Sequence, residues 1–249
     1  MVCTNERLRD CDSVNRVMHK TDEKLFKFFV GQIFRFQPRI AKIAEILAGG
    51  VIGYDRNKRF QQSDHTLGNV TRAVYSLFHE SVARVQALQR LASYIVLDAF
   101  IGNTDRHHGN WGILETRQLH AACNVGAMSE VAPTFDHASS LGRELTDERR
   151  KLVLANGKMS EYLRNGHGAV YWSRDDRQGE NPQRLLARAM HEPGCREHFL
   201  PALTGVISMS KPQLSVFLES VPEDRMSEIA KTFCAAFLAE SLKVLKGLV

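Results

Sequence analysis

Residues 103–110 read NTDRHHGN, and they follow a stretch, 83–101, that is apolar around most of a helical circumference through Val85, Leu88, Leu91, Ala92, Ile95 and Ala99. A helix of that kind lies in the middle of a domain and delivers the chain directly to Asn103. After the turn come WGIL (111–114) and, past a polar stretch, VAPTF (131–135), both short and bounded like paired strands. Pro133 marks the second as an edge or irregular strand, because it cannot donate to a ladder. Asp136 comes next. The order buried helix, polar turn, short hairpin, second aspartate brings Asp105, Asn110 and Asp136 to one end of a small sheet. Two carboxylates and an amide suit a divalent cation such as magnesium, which takes one or two protein carboxylates and completes its shell with water and phosphate oxygens. Asp136 and Asn110 can supply such oxygens, leaving Asp105 to orient or deprotonate an attacking hydroxyl.

Upstream, 40–47 (IAKIAEIL) has a helical rhythm that Gly49 and Gly50 stop, and GYDRNKRFQQSDH (53–65) reads as a polar connection with a boundary near 55–62. Ser63 or Asp64 is a good N-cap for a helix carrying Leu67, Val70, Val74, Leu77 and Phe78 on one stripe. Downstream, 183–190, 213–218 and 226–245 have helical periodicity. The first thirty residues are charged and poorly periodic up to Leu25, Phe26, Phe28, Phe29 and Val30, and no element is assigned to them. The fold class expected is α+β and mainly helical.

The composition is that of a globular fold, 43% apolar and 24% charged over 249 residues. A net charge of +5 with scattered Lys and Arg is a weak nucleic-acid signal, and a polyphosphate ligand explains it equally well. Nucleic acid is not the expected partner. The five cysteines, Cys3, Cys11, Cys123, Cys195 and Cys234, form no CxxC pair and read as reduced thiols. No apolar run is long enough to span a bilayer and the N-terminus is too charged for a signal peptide, so a cytoplasmic protein without a membrane partner is expected.

LDAFIGNTDRHHGNWGIL (97–114) resembles the catalytic loop of the HipA-like serine/threonine kinases, whose C-terminal lobe is distantly related to those of protein and phosphatidylinositol kinases. APTFDHASSLG (132–142) is similar to that family's metal-binding segment, the counterpart of the kinase DFG element, and YDRNKRFQQSDHTL (54–67) to a segment of its C-terminal domain. The resemblance covers about 54–145. It implies a kinase-like C-terminal lobe in which a short β-hairpin carries the catalytic loop and the metal-binding aspartate, with Asp105 as catalytic aspartate, and Asn110 and Asp136 as magnesium ligands. It also implies ATP and magnesium as cofactors and a protein substrate. Kinases set the loop Asn five residues after the catalytic Asp, so that one turn points one side chain at substrate and another at metal, and Asp105 and Asn110 keep that spacing.

One departure is clear. A complete kinase of this type needs a glycine-rich loop and a strand lysine for the nucleotide phosphates. Gly49, Gly50 and Gly53 form no GxGxxG, and Lys20, Lys24, Lys27 and Lys42 sit in no recognisable strand pattern. The expected organisation is therefore a segment 1–54, remnant of a nucleotide-binding lobe that is incomplete, and a HipA-like helical domain, 55–249. The expected partners include an antitoxin-like protein or one that supplies the missing lobe.

The remaining residues of the turn read as supports. Asn103, Arg106, His107 and His108 hold the loop, with one of the basic residues able to touch phosphate. His137 packs or orients, and Asp98 is a buried, paired carboxylate bracing the loop. Arg56, Lys58 and Arg59 read as a solvated cluster outside the site. Ser63, Asp64 and His65 are adjacent on one backbone, so they cannot align as a hydrolytic triad and read as capping. The alternatives to a kinase are a truncated or degenerate kinase domain acting as a binding module, and a metal-dependent hydrolase using His107, His108, Asp105 and Asp136, whose HH pair lacks HxH or HExxH spacing.

Overall fold

The structure is a computed structural model that describes residues 39–119 and 125–249. Leu25–Val30, the lysines 20, 24 and 27, Cys3, Cys11 and Cys123 lie outside the described residues, as does most of the segment 1–54. Three strands, β1 (Arg39–Lys42), β2 (Gly112–Leu119) and β3 (Val125–Val131), form one antiparallel sheet in the order β1-β2-β3. The described helices are α1 (Ile43–Gly50), α2 (Leu67–Leu77), α3 (Ser81–Ile101), α4 (Asp147–Ala155), α5 (Met159–Asn165), α6 (Pro182–His191), α7 (Arg196–Ile207), α8 (Lys211–Glu219) and α9 (Glu228–Lys246). The chain is mainly helical with a small sheet, as expected. The outer part of the hairpin, Leu114–Ser129 as far as it is described, belongs to a different compact unit from Ile40–Ile113 and Glu130–Val249. All that follows concerns the second unit.

Helix α3 is the axis of that unit. Leu88, Leu91, Ala92, Ile95, Val96, Ala99 and Phe100 are all buried, and α2, α6, α7 and α9 pack around it. The apolar circumference is enclosed only from Ala87 onward; Val85, expected on the buried surface, is exposed together with Val82, Gln86 and Arg90, because the first turns of the helix run at the surface. It ends at Gly102 in the left-handed conformation (φ 66°), whose N–H bonds back to the Asp98 carbonyl. Glycine is required there twice over: a Cβ would be strained at that φ and would stand 2.4 Å from Cζ of Phe237 on α9.

Several sequence expectations shift. The segment 40–47 divides, the β1 strand running to Lys42 before helix α1 begins. The α1 amides of Ile43 and Ala44 donate to the Trp111 and His108 carbonyls at 3.1 and 3.2 Å, which locks the helix start onto the polar turn. The cap of α2 is Thr66, accepting from the Asn69 amide at 3.0 Å, and not Ser63 or Asp64. Asp64 instead faces Arg174 at 3.1 Å, while Leu77 falls off the buried stripe and is exposed. The second strand stops at Val131. Ala132 still donates to Gly112, at 2.9 Å, but Pro133 has no N–H with which to continue. Helices α4, α5 and α7 carry little apolar periodicity: α4 buries no residue and α7 contains Pro201, so their sequences do not announce them.

Candidate active site

The turn after α3 is held from within by Asp98, Asn103 and Arg106. Asp98, one turn before the helix end, accepts from Asn103 Nδ2 at 2.8 Å and from Arg106 Nε and Nη2 at 2.7 and 2.8 Å. Asp98 and Arg106 are almost completely buried, so the bidentate pair is desolvated and stands only because nearly every donor finds an acceptor. The second guanidinium edge, Nη1, donates to the Asn110 carbonyl at 2.9 Å and to the Phe135 carbonyl at 3.2 Å, and Nη2 also meets His137 Nδ1 at 3.1 Å. One arginine thus ties the helix, the far end of the turn and the residues on either side of Asp136 to a single point. Asp98, Asn103, Arg106 and His137 are thus joined in one hydrogen-bonded group, which also reaches the backbone next to Asp136.

The candidate chemical groups sit on this brace. Asn103 Oδ1 accepts the Asp105 amide at 3.1 Å, which turns the Asp105 side chain outward to 26% exposure. Asn110 is buried, and its Nδ2 donates to the Asp105 carbonyl at 2.8 Å. Reversing the amide would set oxygen against oxygen, so the orientation is fixed and Oδ1 is the atom left for a ligand. Asp136 is exposed and left-handed (φ 57°), a conformation uncommon for a residue with a Cβ. It is imposed where Arg106 grips Phe135 and His137 on both sides, and such an outlier sustained by its surroundings is typical of a functional site. An exposed carboxylate and an oriented amide oxygen form a donor set that fits magnesium, which does not require a dedicated protein cage.

The two histidines differ. His107 Nδ1 accepts the Gly109 amide at 3.0 Å, so its proton is on Nε2, and that buried N–H has no acceptor in the protein. Burial pushes the His107 imidazole below its ordinary range. Asp105 and Asp136 oppose that shift, and Arg59 and Lys42 reinforce it, so these four charges all reach one ring. His108 Nδ1 meets the Tyr54 hydroxyl at 2.6 Å, and burial likewise depresses its basicity. Behind it, His65 donates from Nδ1 to the Ala169 carbonyl at 2.9 Å and accepts the Trp111 indole N–H at Nε2, 3.3 Å away. Both ring nitrogens are used, so His65 is a structural bridge and neither a cap nor a triad member.

Two cations were set aside on sequence grounds and stand at the site. Arg59 Nη2 lies 3.7 Å from Asp105 Oδ2, and Lys42 is an exposed residue ending a strand beside the turn. The polar loop around Arg59 and the brevity of β1 hid them, because neither position carries a periodic pattern. The geometry does not favour a hydrolase-type centre: His107 accepts at Nδ1 and so carries its proton on Nε2, and among the described residues no group of three or more His, Cys, Asp or Glu could hold a metal ion. A cavity of about 410 Å³ lies elsewhere, lined by residues that include Leu67, Leu91, Trp172 and Phe199, and contains none of the candidate residues.

The chain superposes on the crystal structure of a Helicobacter pylori proinflammatory kinase, CtkA, with a TM-score of 0.64, covering 85% of this chain and 71% of that one. The fold is kinase-like. At 20% identity the likeness is one of fold alone. No family model and no curated protein sequence matches the chain. Among the described residues no helix is long and apolar enough to cross a membrane.

Proposed function

We propose that the chain is an ATP- and magnesium-dependent phosphotransferase, a protein serine/threonine kinase of the HipA-like type. The observation that carries the reading is the division of labour within one turn: Asn110 is oriented by the Asp105 carbonyl with its oxygen left over, while the Asp105 carboxylate is turned outward. Asp136, fixed in its left-handed conformation beside the same brace, completes the pattern. Asn110 Oδ1 and the Asp136 carboxylate would hold magnesium, which when bound neutralises charge on the nucleotide phosphates. Asp105 accepts the proton of the attacking hydroxyl, acting as a general base in phosphoryl transfer. The exposed cations Arg59 and Lys42, whose charges reach the His107 ring, are suited to phosphate oxygens. A cytoplasmic protein substrate and an antitoxin-like partner belong to the same proposal.

The test is incubation of the purified chain with magnesium and γ-labelled ATP. Label transferred to the chain itself or to added protein, and abolished by chelation, is the expected result. Absence of any transfer while a control kinase works contradicts it.

A second reading, a kinase-like binding module without transfer, is favoured by the Arg59–Asp105 contact, since the guanidinium stands 3.7 Å from the carboxylate oxygen that an acceptor hydroxyl would have to meet. Calorimetry separates the two readings. Magnesium-dependent nucleotide binding that Asp136→Ala abolishes, without transfer by the parent protein, supports the module. Transfer by the parent protein rejects it.

A further inference from the structure

Beside the catalytic turn is a cavity of about 260 Å³ that the phosphotransfer chemistry does not use. Thr104, the residue before Asp105, and Ser139, shortly after Asp136, both line it, and the Thr104 amide bonds the Ser139 carbonyl at 3.2 Å. Its walls lack side chains at Gly102 and Gly142, both left-handed, and rings of α9 fill the space behind them: a Cβ on either glycine would stand 2.4 Å from Phe237 or Phe233. Phe237 and the half-buried Tyr162 line the cavity, their rings edge to face with centroids 6.2 Å apart. Glu144 is the one charged residue in the lining. Its Oε1 accepts the Tyr162 hydroxyl, which orients the carboxylate.

This chemistry selects a cation. The lining holds a fixed carboxylate and aromatic rings but no basic side chain, and among the described residues Glu144 has no ion-pair partner. Arg150, whose charge reaches Tyr162, does not line the cavity and is committed to Asp147 at 2.6 Å. A guanidinium or ammonium group with its aliphatic stem along Phe237 would satisfy both the ring faces and the carboxylate.

We propose that this cavity is an acceptor subsite that takes an arginine or lysine side chain of the protein substrate. The inference rests on the kinase reading and deepens it. Thr104 and Asp105 are consecutive, with Cα atoms about 3.8 Å apart, and an extended chain advances about 3.3–3.6 Å per residue. The basic residue therefore lies within a few positions of the hydroxyl presented to Asp105.

The experiment uses the full chain and a set of serine peptides carrying a single arginine at successive flanking positions, each paired with its uncharged citrulline analogue. Fluorescence anisotropy gives binding, and labelled ATP with magnesium gives KM. At one flanking position arginine is expected to bind, and to lower KM, about tenfold relative to citrulline. Glu144→Gln, an exposed substitution that keeps an acceptor for Tyr162 and should leave the melting temperature unchanged, makes the two peptides equal. Equal binding of arginine and citrulline peptides by the parent protein overturns the proposal, as does a preference that survives Glu144→Gln. The binding arm stands apart from the kinase reading: an arginine preference lost in Glu144→Gln without any transfer upholds the pocket and rejects the kinase.

Discussion

Removing Arg106 should unfasten the whole site at once. The guanidinium satisfies both oxygens of a carboxylate that is 4% exposed, and it also feeds the Asn110 and Phe135 carbonyls. In Arg106→Met the side-chain volume is roughly kept, but Asp98 is left as a buried charge with Asn103 as its remaining side-chain donor. Breaking a buried pair from one side costs about 3–5 kcal/mol. For a protein of this size each kcal/mol moves the melting temperature by about 2–4 °C, so the variant should melt roughly 10 °C lower. The double variant Asp98→Leu, Arg106→Met removes both charges and should recover most of that loss. It should not recover magnesium-dependent nucleotide binding, because the carbonyls flanking Asn110 and Asp136 still lack their donor. Thermal melts and calorimetry on the parent protein, both single variants and the double variant complete the cycle. A single Arg106→Met protein melting within a degree or two of the parent, or a double variant no more stable than the single, would refute the idea that one buried arginine organises the site.

Two further outcomes can be checked on stability alone. Burial holds the His65 imidazole down to about 3 against an ordinary 6.5, so the stability it carries is complete above about pH 6.5 and is lost as pH falls toward about 3. The loss is at most about 1.4 kcal/mol per pH unit for one group, and His107 and His108, also shifted down, add to it in the same direction. Urea titrations between about pH 7 and pH 5 should show the slope, and His65→Gln should flatten it; an unchanged slope removes His65 from the account. Gly102→Ala forces a Cβ into the ring of a Phe237 that is 3% exposed while keeping a positive φ, and should cost about 2–4 kcal/mol in denaturant. Gly49→Ala, with open space around it, should cost nothing measurable in the same assay.

The parts of the site legible in the sequence were those with local pattern. The apolar residues of 83–101 announced α3, and the resemblance of 97–114 to a kinase catalytic loop drew attention to the turn that holds Asp105 and Asn110. Asp98 could be read as a buried brace because a carboxylate on an apolar helix must be paired. Its grip on the Asp136 segment could not, since Phe135 and His137 are separated from Arg106 by the hairpin and meet it only in three dimensions. Arg59 and Lys42 were missed for a related reason: charge on a polar loop or a short strand has no period, and its meaning depends on what the fold places opposite. Thr66 displaced Ser63 and Asp64 as cap because His65 is drawn inward between Ala169 and Trp111, which moves the helix start by a few residues. Helices α4 and α5 lay in charged sequence and take their positions from α9, against which both pack.

We propose Asp105 as the base of a phosphoryl transfer supported by Asn110 and Asp136. Its most direct test is the transfer rate from labelled ATP in the parent protein and in Asp105→Asn, with magnesium-dependent nucleotide affinity measured in parallel. Turnover should fall about 100-fold or more, as expected for loss of a positioned general base, while the affinity changes by less than about threefold. Full turnover in Asp105→Asn, or a loss of turnover matched by an equal loss of nucleotide affinity, would contradict it.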